Sequence, residues 1–193
     1  MENHHEDTYN FGEKIFKARD YTPIPLIVLI FLLAEPSVRS AVIGMILILS
    51  GEIVRLYSVA FIGSISRTRK NRTGGELIRS GPFSFVRNPL YVGNFFISVG
   101  VATFAGNFYA TAITALLFAF QYYHIVKYEE SWLKQNFGEE YDVFCKEVPA
   151  WFPQKSIKLD SLEWPETFSP AIKSERKTLL AIAAMVSILT IIA

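Results

Sequence analysis

The sequence predicts an all-α fold: a polytopic membrane helix bundle of about five transmembrane helices, with its polar segments gathered on one side of the bilayer. Three observations lead there. Hydrophobic residues make up 51% of the 193, a modest excess, but they fall in long blocks with the charges swept between them. Lys and Arg are unevenly spread: three precede residue 21, six lie in 64–88 and eight in 127–177, while the connections on the other side hold only Arg39. The positive-inside rule then puts the N-terminus and both basic segments in the cytoplasm. A net charge of +1 argues for no nucleic-acid partner. The single cysteine, Cys145, leaves no internal disulfide and no thiolate-rich metal site. The length suits a single domain over 1–193.

Taken in order, residues 1–20 are polar, without the apolar core of a signal peptide. This stretch reads either as disordered or as a short surface helix around Phe11, Ile15 and Phe16. Pro23 to Ala34 is apolar but shorter than the ~20 residues of a full span, and reads as a short or partly re-entrant crossing ended by Glu35-Pro36. Val38 to Gly63 is a full span carrying Glu52 and Arg55, three apart on one face. Charges at membrane depth pair or line a polar cavity, so these two are either a self-contained ion pair or the braced floor of a site. Ser64 to Asn88 sets six cations against one acid, Glu76, the composition of a loop facing anionic lipid.

Leu90 to Ala105 is the third span. Gly93 and Gly100 share one of its faces, where small residues permit close approach of another helix or a ligand. After Gly106-Asn107, Phe108 to about Asn136 forms a fourth helix, apolar to Phe120 and polar beyond. Glu139 to Lys146 is amphipathic, with Tyr141, Phe144 and Cys145 on its apolar side. Val148 to Pro153 is extended and aromatic, suited to an interface. Gln154 to Lys177 is polar, and Thr178 to Ala193 is the last apolar run. Five crossings leave the C-terminus on the far side.

Two polar stretches then share the cytoplasmic side. In one, Ser80-Gly81-Pro82 is a turn and Asn88-Pro89 starts a helix. Arg87 and Asn88 thus stand at a helix mouth, where free N–H groups and the dipole favour an anion; alone, this stretch reads equally as a basic loop at a membrane surface. In the other, Gln121, His124 and Tyr128 recur on one helix face. Glu129 and Glu130 point roughly 100° apart, so they should not share a role; one is expected to face a site while the other meets Lys127 or Lys134. By itself such a helix end is more often a solvated exit.

Together the two stretches resemble a known family. Gly81-Pro82-Phe83-Ser84-Phe85-Val86-Arg87-Asn88-Pro89-Leu90-Tyr91-Val92-Gly93, then Glu129-Glu130, Phe137-Gly138-Glu139-Glu140-Tyr141 and Val148-Pro149, are similar to the isoprenylcysteine carboxyl methyltransferase and phospholipid methyltransferase superfamily. The resemblance reaches back to Gly51-Glu52-Ile53-Val54-Arg55-Leu56-Tyr57, and so covers about 51–153. What it implies is an integral membrane enzyme using S-adenosylmethionine, held in a cytoplasmic cofactor-binding region closed by the segment after the fourth helix. It implies backbone contacts from Gly75, Glu76, Leu77 and Ile78, an aromatic residue at Phe83, and a motif at Arg87, Asn88, Pro89 and Tyr91 with Gly93 beside it. The acidic pair falls at Glu129 and Glu130. Asn88 departs from the histidine usual in the family; it still donates and accepts a hydrogen bond but does not titrate near neutrality.

Methyl transfer fits these residues. The enzyme must hold donor and acceptor together and keep water out. Glu129 or Glu130 could accept from the cofactor's amino and ribose groups, Arg87 and Asn88 could donate to its carboxylate, and Tyr91 offers a ring to the sulfonium. An amine acceptor would need a base, for which His124 or Glu129 is nearest; an ionised carboxylate needs none. The expected partners are the bilayer and an amphiphilic or lipidated acceptor, with a prenylated cysteine carboxylate first and a lipid amine second; no metal is expected. The Gly93/Gly100 face leaves room for an apolar tail, and Trp151, Phe152 and Pro153 look placed to cover any water path. Two readings from other classes compete: an NADPH-dependent reductase of the sterol-reductase type, which shares an Arg-x-Pro-x-Tyr-x-Gly signature, and a non-enzymatic membrane scaffold.

Overall fold

A computed structural model describes residues 11–62, 77–154 and 162–192. Among them the regular structure is entirely helical: α1 (11–18), α2 (Pro23–Leu32), α3 (Val38–Ile62), a short 3-10 turn (Gly81–Ser84), α4 (Pro89–Phe104), α5 (Phe108–Phe137), α6 (Glu139–Glu147) and α7 (Ser169–Ile192). Prolines open α2 and α4, in the first helical turn where the missing N–H costs nothing. Asn107 caps α5, its side-chain oxygen accepting from Ala110 N at 3.0 Å.

Five helices, α2, α3, α4, α5 and α7, run between the same two ends of the bundle. At one end Glu35 N donates to Ala105 O at 2.7 Å, and Ser40 Oγ to Phe104 O at 3.3 Å. There Ile30, Ile48, Val101, Phe104, Ala110 and Leu189 form the main apolar core. Gly106 is obligatory at this turn: its φ is +81°, and a Cβ would lie 2.1 Å from Glu35 O. At the other end Thr22 meets Gln121, and Arg55 meets Asn94 and Glu175. Successive helices therefore alternate in direction.

The closest packing is between α3 and α4. A Cβ on Gly44 would lie 2.6 Å from Gly100 O, one on Gly51 2.6 Å from Gly93 O, and one on Gly93 2.6 Å from Arg55 Cγ. The glycine face of α4 is thus filled by α3. Small residues let two backbones touch, and they leave no room for an apolar tail on that face.

α3 and α5 are long and apolar enough to cross a membrane by length and composition. Only 28% and 22% of their apolar windows are buried within the protein, unlike the core helices of a water-soluble fold. Val42, Ile46, Leu49 and Ile53 of α3, and Leu116, Leu117 and Phe120 of α5, point outward, an apolar surface suited to lipid. With 10 and 16 residues, α2 and α4 are shorter than a full span. α7 begins nine residues before the apolar run expected from Thr178. Glu175 explains the extension: it is fully buried against Arg55, while its charged neighbours Lys173, Arg176 and Lys177 stay exposed.

The α3–α4 contact yields a direct test. Gly44→Ala forces a methyl against backbone atoms and is expected to cost about 1–3 kcal/mol of stability. Ile46→Ala, at a position 59% exposed, should change little. Thermal unfolding in detergent compares the two.

Candidate functional site

The site is assembled from the loop before α4, the polar half of α5 and the segment after α6. The loop makes its tight bend at Gly81, where φ is +56° and a Cβ would meet the Phe61 ring at 2.5 Å. Gly81 N donates to Glu163 Oε2 at 3.0 Å. Pro82, Phe83 and Pro89 are buried, so the loop is held as part of the fold. Leu77 packs against the Tyr141–Phe144–Val148 cluster and Ile78 is half-buried. Gly75 and Glu76 lie outside the described residues.

Arg87 closes this end of the protein. Its Nη2 donates to Glu130 Oε1 at 2.6 Å, and its Nη1 to Val148 O at 2.6 Å and Cys145 O at 3.2 Å. Its backbone N donates to Pro149 O at 2.9 Å, and Asn88 Nδ2 to Ala150 O at 3.1 Å. The donors expected to meet a ligand's carboxylate thus satisfy carbonyls at and beyond the C-terminus of α6, which a helix end leaves unpaired. Burial works against the Arg87 charge, but the hydrogen bond and charge of Glu130 outweigh it and raise its pKa above the ordinary arginine value. Burial, then the Glu130 charge, push the Tyr141 phenol up as well. Of the aromatic segment that follows, Trp151 is half-buried, whereas Phe152 is 83% exposed and does not form a cover.

Glu129 takes a different partner from Glu130, as their angular separation requires. Its Oε2 accepts from Tyr91 OH at 2.6 Å. The Tyr91 ring packs on Tyr122 at 4.8 Å, and Tyr122 stacks on Phe118 at 3.9 Å. Asn94 Nδ2 donates to Tyr122 OH at 3.3 Å, and Asn94 Oδ1 accepts from Arg55 Nη1. Arg55 Nη2 lies 2.6 Å from Glu175 Oε2, while Glu52 is 3.9 Å from Arg55 Nε. A polar thread therefore runs from α7 through α3 and α4 to Glu129, and Arg55 braces its floor.

Two expected site residues sit elsewhere. Gly93 faces α3 and contacts Arg55 and Gly51. His124 lies one helix face away from Glu129, among the rings of Phe11, Phe120 and Tyr123 at 4.9–5.3 Å. Sequence reasoning missed Asn94, Tyr122, Glu163 and Glu175. Asn94 had a visible signal, since it is a polar residue one helical turn after Tyr91 inside an apolar run. Glu175 had none.

A family model described as phospholipid methyltransferase matches residues 40–140, just over half of the chain. The chain belongs to the phospholipid methyltransferase family. The matched part contains Arg55, the 81–91 loop, Asn94, Tyr122 and both glutamates, and leaves out α1, α2 and α7. A nickel-cobalt-cadmium resistance protein of Alcaligenes xylosoxydans xylosoxydans is 33% identical over 115 residues, 60% of this chain and 50% of that protein. Human protein-S-isoprenylcysteine O-methyltransferase is 30% identical over 125 residues, 62% of this chain and 44% of that protein. The Schizosaccharomyces pombe enzyme of the same name is 32% identical over 77 residues, covering 40% and 33%. The chain thus spans from a third to about half the length of these relatives. No solved structure matches. Among the described residues no group of three or more His, Cys, Asp or Glu could hold a metal ion.

Within this phospholipid methyltransferase fold, Arg87→Ala should be costly, because it deletes three side-chain hydrogen bonds and strands Glu130 at 19% exposure. Breaking such a buried pair costs about 3–5 kcal/mol. Arg87→Lys should recover only part of this, since an ammonium lacks the guanidinium fork. Unfolding midpoints in detergent measure both.

Proposed function

We propose that the protein transfers a methyl group from S-adenosylmethionine to an amphiphilic acceptor at the cytoplasmic face of a membrane. The carrying observation is the 2.6 Å contact between Tyr91 and Glu129. It joins the two motif halves inside the part of the chain matched to the phospholipid methyltransferase family. In this reading residues 1–193 are a single domain, α2, α3, α4, α5 and α7 cross the bilayer, and the Glu129 end faces the cytoplasm. The basic residues concentrated at that end support the orientation.

The residues present fit the cofactor. It needs an anionic acceptor for its amino group, aromatic surface for its cationic sulfur, and donors for its carboxylate. Glu129 supplies the first, and Tyr91 and Tyr122 the second. Arg87 Nε is buried and, among the described residues, has no hydrogen-bond partner, so one donor of the motif remains to be satisfied. Bound there, S-adenosylmethionine would supply a methyl group on an electrophilic sulfonium. The protein's own contribution is alignment and exclusion of water. The Arg87 clasp ties the start of α4 to α5 and to the end of α6, and Tyr91 holds the Glu129 carboxylate in one orientation.

The acceptor proposed first is a prenylcysteine-type carboxylate, and second a phospholipid amine. An ionised carboxylate needs no proton removed, whereas an amine does; of the two candidate bases, His124 is held among rings away from Glu129, and Glu129 is engaged by Tyr91 and, in this reading, by the cofactor. Relatives named protein-S-isoprenylcysteine O-methyltransferase support this ranking.

Three expected outcomes test the reading. In detergent, S-adenosylmethionine should raise the unfolding temperature and NADPH should not; the reverse would point to a reductase, and no shift with either to a scaffold. Glu129→Gln should weaken cofactor binding by about 1.5–3 kcal/mol, the worth of a charged hydrogen bond, while Glu130→Gln should act mainly on stability. Labelled methyl transfer to N-acetyl-S-farnesylcysteine should exceed that to phosphatidylethanolamine. Transfer to the amine alone would reverse the ranking.

A further inference from the structure

The N-terminal helix lies outside the family match, which begins at residue 40, yet it is built into the site. Gly12 lets α1 touch α5, since a Cβ there would lie 2.9 Å from both His124 O and Tyr128 Cβ. Phe16, 8% exposed, packs on Tyr128 at 5.5 Å and shares a cluster with Ile125. Tyr91 and Tyr122, the two rings next to Glu129, pack against that same cluster. Thr22 Oγ1 donates to Gln121 Oε1 at 2.9 Å and pins the end of the segment. The face of α5 that bears Gln121, His124 and Tyr128 is therefore covered by the protein's own N-terminal segment.

Arg19 sits where this segment meets the site. Its guanidinium lies 3.7 Å above the centre of the Phe16 ring, which fixes its position. That ring belongs to the cluster against which Tyr91 and Tyr122 pack. Asp20 approaches its Nε only to 3.8 Å and is itself 57% exposed. Its Nη1 is buried and, among the described residues, has no hydrogen-bond partner. A buried guanidinium donor left without an acceptor is costly; its planar fork matches a carboxylate or a phosphate, and the acceptor ranked first supplies the carboxylate.

We propose that α1 is a wall of the acceptor site and that Arg19 recognises the carboxylate of the methyl acceptor. The inference rests on the methyl-transfer reading and deepens it. Glu129 takes the positively charged part of the cofactor, and Arg19 takes the negatively charged head of the acceptor. Glu129, hydrogen-bonded to Tyr91, and Arg19, held over the Phe16 ring of the cluster that Tyr91 and Tyr122 pack against, sort the two ligands by their opposite charges. Acceptor selection then depends on a segment outside the part of the chain that defines the family.

The test uses the full chain in nanodiscs, with wild type, Arg19→Gln and Arg19→Lys. Binding of N-acetyl-S-farnesylcysteine and of its methyl ester is measured beside binding of S-adenosylmethionine, with unfolding temperature as the check on folding. Wild type is expected to prefer the acid over the ester by about tenfold or more, the worth of a charged hydrogen bond. Arg19→Gln should lose that preference by weakening the acid alone, Arg19→Lys should keep part of it, and cofactor affinity should stay within about twofold. Retention of the acid preference in Arg19→Gln would overturn the inference and leave methyl transfer standing. A fall in cofactor affinity with acid binding unchanged would also overturn it, assigning Arg19 to the cofactor's own carboxylate. Wild-type protein that binds no S-adenosylmethionine would instead remove the reading on which the inference rests.

Discussion

Arg87 is the constraint on which the Glu129 end of the bundle depends. One guanidinium reaches a carboxylate on α5 and two carbonyls at the end of α6, and the adjoining backbone N–H reaches a third. These bonds determine where α4 starts, how α5 is held against it and where the chain goes after α6. Its side chain is 12% exposed, and the Glu130 partner makes that burial of charge tolerable. With Glu130 committed to this clasp, Glu129 is the carboxylate that can face a ligand. The division of labour between two adjacent acids follows from helix geometry, but the identity of each role follows from Arg87.

A second constraint runs through the interior of the bundle. Arg55 is 12% exposed and fully buried Glu175 answers it at 2.6 Å. An uncompensated charge at that depth would be expensive. The pair ties α7 to α3, and the other arm of Arg55 reaches Asn94 and, through it, the Tyr122–Tyr91–Glu129 group. Membrane packing and ligand geometry are thereby coupled. The position of the Glu129 carboxylate depends on the close α3–α4 approach that Gly51 and Gly93 allow.

Much of this was legible in the chain. The blocked apolar pattern announced the helices, Gly93 and Gly100 announced a close contact, and the roughly 100° step between Glu129 and Glu130 announced separate partners. What was hidden depends on three-dimensional neighbours. Gly93 and Gly100 could have faced a helix or a ligand, and only the position of α3 decides. Arg87 and Asn88 have the chemistry of ligand donors, but unpaired carbonyls at 145–150 reach them first. Glu175, flanked by Lys173, Arg176 and Lys177, reads as a solvated acid. His124 has the pattern of a site residue, and α1, which the sequence described at most as a short surface helix, covers it.

The central claim is that the Tyr91–Tyr122–Glu129 group forms the wall against which S-adenosylmethionine sits. Ultraviolet crosslinking of radiolabelled S-adenosylmethionine to the protein in nanodiscs, followed by mapping of the labelled peptides, tests it most directly. The account predicts label on peptides containing Tyr91 or Tyr122, suppressed by an excess of S-adenosylhomocysteine. Competable label confined to the exposed segment around Phe152, with none on α4 or α5, would contradict it.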